Sequence, residues 1–284
     1  MRPRLVATIA SLALVLAACS SSATPVPSTA PPTPTGSAPA GGSAAAATNL
    51  QIYAASSLKA ALAQVKTAYE AANPGITLTI STDSSSALET KIEQGAPADV
   101  LLSADTSNPQ KLVTKGLALG SPVNFAGNLL TIITPTTNPA NIKTPMDMAK
   151  SGVKVIAAGD TVPITKYANV LVANLDKQPG YPPDFAAKYT ANIVSKEDNV
   201  AAVVSKIELG EGDVAIVYVT DAKTSTKVAQ PATIPTDANV PATYDGVVVK
   251  ASPSPDASQA FLTWLAGPSG QAILAGFGFL PPPS

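Results

Sequence analysis

The chain has 284 residues, of which 45% are apolar and 13% charged, with 18 Lys plus Arg against 19 Asp plus Glu, one Cys and no His. That length suits one large or two ordinary domains, and a net charge of -1 with scattered lysines leaves no electrostatic footprint for nucleic acid. Without His, the Ser-His-Asp and Cys-His nucleophile systems and the commonest zinc ligand are absent, which excludes most hydrolase chemistry.

Arg2 and Arg4 precede an apolar run over residues 5–16, and Ala17 and Ala18 stand just before Cys19. This is the anatomy of a secretory signal peptide, predicted over 1–18, and the run is shorter than the ~20 residues a spanning helix needs. The segment LAAC resembles the bacterial lipobox, so Cys19 is expected to carry lipid. A single Cys also excludes an intrachain disulfide. Residues 19–48 read as a tether, since 20–48 contain no charge, no aromatic and six prolines, a composition unable to offset chain entropy by burial. Both arginines lie in the signal, which leaves 16 lysines and 19 acids in the remainder, so any anion site there must work without guanidinium.

From residue 49 the pattern alternates strands and helices. A strand over 49–54 leads into Ser56-Ser57, then Leu58, Leu62, Val65 and Tyr69 recur at helical spacing until Asn73-Pro74-Gly75. Residues 76–82 are β-branched, and Ser84-Ser85-Ser86 opens a second helix in which Ser86 and Glu89 have capping-box spacing. Strands are predicted over 100–103, 129–135, 154–159 and 214–219, with helices opening at Pro163 and after Ser195–Asp198, and a last strand and helix in TYDGVVVK and FLTWL. The alternation predicts an α/β chain with mainly parallel sheets.

In such sheets ligands sit outside the carboxyl ends of strands, where helix N-termini present unpaired N–H groups. Four junctions qualify, near Ser57, Ser85, Ile164 and Val200, and Tyr218 ends a fifth strand. Together they suit an oxyanion. On spacing alone Ser57 and Ser85 read first as helix N-caps, and Tyr218 as a packing residue at a strand end. Asp83, Asp99, Asp105 and Asp160 read as loop-fixing carboxylates rather than a metal cluster. Ser56-Ser57-Leu58-Lys59 satisfies the S-x-x-K pattern of serine β-lactamases, but neither SDN nor KTG follows.

The segments YAASSL (53–58), SSSALETKIEQGAPADVLLSAD (84–105), GDTVPITKYA (159–168), EDNV (197–200) and IVYVTDA (216–222) resemble the periplasmic molybdate-binding proteins of bacterial ABC transporters. The resemblance covers nearly all of residues 49–284. It implies a two-lobed periplasmic-binding fold of type II, each lobe a mixed sheet flanked by helices, with 49–126 plus 241–284 as the first lobe, 127–240 as the second, and two hinge crossovers between them.

It further implies one tetrahedral oxyanion, molybdate or tungstate, held by Ser57, Ser85, Ile164, Val200 and Tyr218: hydroxyls from the serines and the tyrosine, main-chain N–H from the other two. The family's usual VPAG is VPIT here, which places Ile164 and Thr165 where small residues are common. Hydrogen bonds to a charged partner contribute about 1.5–3 kcal/mol each, so about five to seven of them reach micromolar binding, about -8 kcal/mol, without arginine. The implied role is transport. A monomeric receptor, lipid-anchored at the outer face of the cytoplasmic membrane, delivers its anion to a permease and ATPase, with no catalysis, no cofactor and no metal cation. A sulfate or other oxyanion receptor on the same fold is the alternative.

Overall fold

In the computed structural model, which describes residues 47–282, the chain enters its first sheet at Thr48. The expected signal peptide, the lipid on Cys19 and nearly all of the tether lie outside the described residues. Strand β1 (Thr48–Ala55) buries Leu50, Ile52 and Ala54 on one face at the two-residue period of a strand. A short 3-10 turn over Ser56–Leu58 passes into α1 (Lys59–Ala72), which buries Leu62, Val65 and Tyr69 on its sheet-facing side. There follow β2 (Ile76–Asp83), α2 (Ser85–Glu93), β3 (Val100–Ser103), α3 (Ser107–Thr114) and β4 (Ala118–Asn128).

Asn128 ends the first sheet's strand and Leu130 begins the second sheet's, so one residue makes the first crossing. The second lobe contains β5 (Leu130–Pro135), β6 (Val155–Ala158), α4 (Pro163–Leu175), α5 (Phe185–Ala191), β7 (Ile193–Glu197), α6 (Val200–Glu208), β8 (Val214–Tyr218), α7 (Val219–Lys223) and β9 (Val228–Ala229). The chain then returns to β10 (Ala242–Val249), α8 (Pro255–Ala266) and α9 (Pro268–Gly276).

The two sheets have five strands each, in the orders β2-β1-β3-β10-β4 and β7-β6-β8-β5-β9. In the first, β1 runs parallel to β2 and β3 while β10 is antiparallel to both neighbours. In the second, β6 is parallel to β7 and β8, and β5 is antiparallel to β8 and β9. The two-lobed α/β fold is therefore as expected, with mixed sheets and helices packed on them.

Val100 and Leu102 of β3, Leu62 of α1, and Phe261 and Leu265 of α8 belong to one continuous cluster of buried apolar side chains with Val155, Ile216, Leu171 and Ile207 of the second lobe. Burial of such side chains contributes about 1.5–3 kcal/mol apiece. Gly246 in β10 lets α8 approach, since a Cβ there would stand 2.4 Å from Leu262 Cδ1.

Two local expectations are corrected. The N-cap of α2 is Ser84, whose Oγ accepts from Ala87 N–H at 3.3 Å, so the helix opens earlier than the Ser86–Glu89 capping box predicted. Strand β4 was not predicted, because Gly120, Pro122 and Gly127 interrupt its pattern. It survives as an edge strand, paired with β10 through shifted registers and bridged on its outer side at Gly127–Leu280, so Pro122 removes no ladder bond from a second strand.

Candidate functional site

The carboxyl ends of β1, β2, β6, β7 and β8 converge, and the helical segment that follows each opens at the same place. There Ser57, Ser85, Ile164, Val200 and Tyr218 line one small cavity of about 10 Å3. Pockets for drug-sized ligands run to about 300–1,000 Å3, so this one has no room for an organic ligand of that size. All five predicted residues are brought together, from both lobes. A larger cavity of about 340 Å3 lies within the second lobe between α4, α5 and β7, and it shares only Ile164 with the five.

The positions of these residues explain what they offer. Ser85 and Val200 are the first residues of α2 and α6, and Ile164 follows Pro163 at the start of α4. First-turn N–H groups have no intrahelical acceptor, and the positive ends of the helix dipoles add to them. Asn199 caps α6 by accepting from Ala202 N–H at 3.1 Å, which leaves Val200 N–H uncapped. Ile164 is 2% exposed despite its size, and Thr165 next to it donates its hydroxyl to Ala158 C=O at 2.9 Å. The two larger residues of VPIT are thus accommodated behind the helix start.

The serines do not cap. Ser85 Oγ accepts from Ala104 N–H at 3.0 Å, and Ser57 Oγ lies 2.9 Å from the Tyr244 hydroxyl. Tyr218 is 1% exposed, and its hydroxyl is one of three buried side-chain polar atoms without a hydrogen-bond partner among the described residues, the others being Glu89 Oε1 and Asp245 Oδ1. A buried hydroxyl with no partner is costly unless a ligand meets it. Burial pushes the Tyr218 phenol well above its ordinary pKa, with the Tyr244 and Tyr167 phenols adding to the shift, so it stays protonated as a donor.

Among the described residues Asp83 is the one charged residue lining the cavity. Its carboxylate accepts from Ser84 N–H, Lys91 Nζ and Asn199 Nδ2 at 2.8, 3.1 and 3.1 Å. The Asn199 contact crosses from the second lobe to the first. Three further contacts cross the cleft mouth: Lys166 Nζ reaches Asp105 Oδ2 and Ser107 Oγ at 2.8 Å each, and Ser86 Oγ reaches Thr161 Oγ1 at 3.4 Å. The other carboxylates fix loops as expected: Asp99 accepts from Gln51 N–H, Asp105 from Asn108 N–H, and Asp160 pairs with Lys196. In the S-x-x-K segment Lys59 is exposed and Ser56 buried, with no hydrogen bond between them among the described residues.

Behind the cavity stand residues that sequence reading missed as site elements. Tyr244 of β10 packs edge-on against Tyr218, with centroids 5.7 Å apart, and Asn128 lies against both Tyr244 and Thr220. TYDGVVVK was legible as a strand, but nothing local marked its tyrosine, because its partner is 187 positions away in the chain.

The family model for bacterial extracellular solute-binding proteins matches residues 50–280. The molybdate-binding protein ModA of Mycobacterium tuberculosis is 30% identical over 236 residues, which is 83% of this chain and 86% of that protein. The solved periplasmic molybdate-binding protein of Azotobacter vinelandii aligns with a TM-score of 0.68 at 23% identity, over 82% of this chain and 100% of its own. The sulfate-binding protein SubI of Mycobacterium tuberculosis aligns with a TM-score of 0.73 at 20% identity, over 82% of this chain and 87% of its own. At those identities the two structural likenesses concern the fold alone.

Proposed function

Because the chain belongs to the bacterial extracellular solute-binding protein family, we propose that it captures one molybdate or tungstate dianion between its lobes and delivers it to an ABC permease. The observation that carries this reading is the buried Tyr218 hydroxyl, unpartnered and facing a cavity that also collects Ser57, Ser85, Ile164 and Val200.

The donor set supports a dianion. The hydroxyls of Ser57, Ser85 and Tyr218 and the N–H groups at helix starts supply hydrogen bonds and dipole, and among the described residues neither lysine nor arginine lines the cavity. Neutral donors favour an anion that accepts at every oxygen over one that must itself donate. The ModA relative, which carries the molybdate name at 30% identity, supports that choice of ligand over sulfate.

Capture is a hinge closure and not a reaction. The crossing at Leu129 and the longer one between β9 and β10 join the lobes, and the Lys166–Asp105, Asn199–Asp83 and Ser86–Thr161 contacts hold them together once closed. The site is complete within one chain, so a monomer suffices. The closed form docks on a permease powered by a cytoplasmic ATPase. Lipid on Cys19 and the tether over 19–48 keep the protein at the outer face of the membrane, within reach of that permease.

Equilibrium dialysis against molybdate followed by elemental analysis tests the reading. One molybdenum per chain is expected. No retained molybdenum, or one sulfate retained in its place from a mixture, would contradict it.

A further inference from the structure

We propose that Asn128 and Tyr244 act as positioning residues that fix the Ser57 hydroxyl as a donor toward the anion, and so set selectivity for fully deprotonated oxyanions over those that keep a proton. This rests on the oxyanion reading of the cavity.

The direction of each hydrogen bond follows from the chemistry of its atoms. Asn128 is fully buried, and its Oδ1 accepts from Leu129 N–H at 3.0 Å, which orients the amide. Nδ2, which can only donate, then faces Thr220 Oγ1 at 2.8 Å and the Tyr244 hydroxyl at 3.4 Å. Tyr244 is fully buried, and among the described residues its hydroxyl meets only Asn128 Nδ2, which cannot accept, and Ser57 Oγ at 2.9 Å, so its single proton goes to Ser57. Ser57 Oγ therefore accepts from behind, and its own proton is left for the cavity it lines.

Ser85 is fixed in the same sense by a different donor, because Ala104 N–H occupies its Oγ at 3.0 Å. Ser57 and Ser85 thus each have a donor behind them, whereas the Tyr218 hydroxyl has no partner among the described residues. A hydroxyl fixed as a donor binds a bare oxyanion oxygen well. It offers poor acceptance to the proton of hydrogenphosphate or hydrogenarsenate, since its rear lone pair is already engaged.

The relay also begins at the hinge. Asn128 is the last residue of β4, next to the single-residue crossing, while Thr220 is the second residue of α7, just after β8 in the other lobe. The orientation of Ser57 is consequently completed by contacts from both sheets.

The test is competition at pH 8, with molybdate titrated in the presence of inorganic phosphate, on the wild-type protein and on Tyr244→Phe and Asn128→Asp. Removing the Tyr244 hydroxyl frees Ser57 to rotate and accept, so the ratio of molybdate to phosphate affinity should narrow about ten-fold or more, the factor equal to about 1.4 kcal/mol. Asn128→Asp replaces the donor by an acceptor, which reverses the relay and turns the Ser57 proton away from the cavity. It should narrow the ratio further, and its added charge repels both dianions alike and cancels in the ratio. A merely structural role would weaken both anions together and leave the ratio where it was. An unchanged ratio in a folded Tyr244→Phe protein, including phosphate that displaces molybdate from neither form, overturns the relay. If Asn128→Asp does not fold, Tyr244→Phe decides alone. Failure of the wild type to bind molybdate would instead overturn the ligand itself, a distinct outcome.

Discussion

Lys166 Nζ in α4 lies 2.8 Å from Asp105 Oδ2 beyond β3, an ion pair that joins the two lobes across the cleft mouth. Burial alone would raise the Asp105 pKa, but hydrogen bonds from Lys166, Ser107 and Asn108 N–H hold it below the ordinary carboxylate range. The Asp105 carboxylate therefore stays charged through neutral pH. Lys166 is 42% exposed, so solvent screens the attraction and its contribution is modest. We expect Lys166→Gln to weaken molybdate binding about three- to ten-fold, mainly through faster release, with added salt shrinking the difference between wild type and variant. Stopped-flow dissociation at low and high salt checks this, and equal release rates would sink it.

Ser57→Ala and Ser85→Ala each remove one hydroxyl from the cavity. A hydrogen bond to a charged partner is worth about 1.5–3 kcal/mol, so each variant should bind molybdate about ten- to one-hundred-fold more weakly. Calorimetry on the two variants measures the loss. Affinity within two-fold of wild type for both would remove the serines from the site.

At Ile164 and Val200 the proposed donor is the main chain, so side-chain changes and N–H deletion should separate. Ile164→Ala should cost about 2–5 kcal/mol of stability from the cavity it leaves, while molybdate affinity stays within about three-fold, under 1 kcal/mol. Val200→Pro removes an N–H at the first helical residue, a position that tolerates proline, after Asn199 in extended backbone with φ -157° and ψ 169°. It should keep its melting temperature and lose about ten-fold in affinity. Retained affinity in Val200→Pro would show that this N–H does not meet the anion.

Asp221 caps α7 by accepting from Tyr218 N–H at 3.1 Å, and burial pushes its pKa up to about 7. The sign follows from proton counts. Between the unfolded value of 3.8 and about 7 the unfolded chain has released this proton while the folded chain keeps it, so the Asp221 contribution to stability falls as pH rises through that window. Asp221→Asn retains an acceptor for Tyr218 N–H and cannot ionise. Its melting temperature relative to wild type should therefore climb from pH 4 to pH 8, and a flat or falling difference would contradict the assignment.

Buried parallel strands were legible because both faces are covered and the sequence reads as an apolar run. VLLS became β3 over Val100–Ser103 and VAIVY became β8 over Val214–Tyr218. Strand β4 escaped because its glycines and proline break the alternation, and only pairing with a strand from the far end of the chain recovers it. At the site, local spacing suggested that Ser57 and Ser85 cap helices, whereas Ser84 does the capping of α2 and both serines line the cavity. Resemblance to a family, and not periodicity, picked out the cluster of five. Asn128 and Tyr244 stayed hidden, since a buried relay between positions 57, 128, 220 and 244 leaves no pattern along the chain.

The most direct test of the central claim is isothermal titration of the protein with molybdate, repeated with sulfate in large excess. Tight one-to-one binding that survives the sulfate is expected. Absence of heat with molybdate, or binding abolished by sulfate, would contradict it.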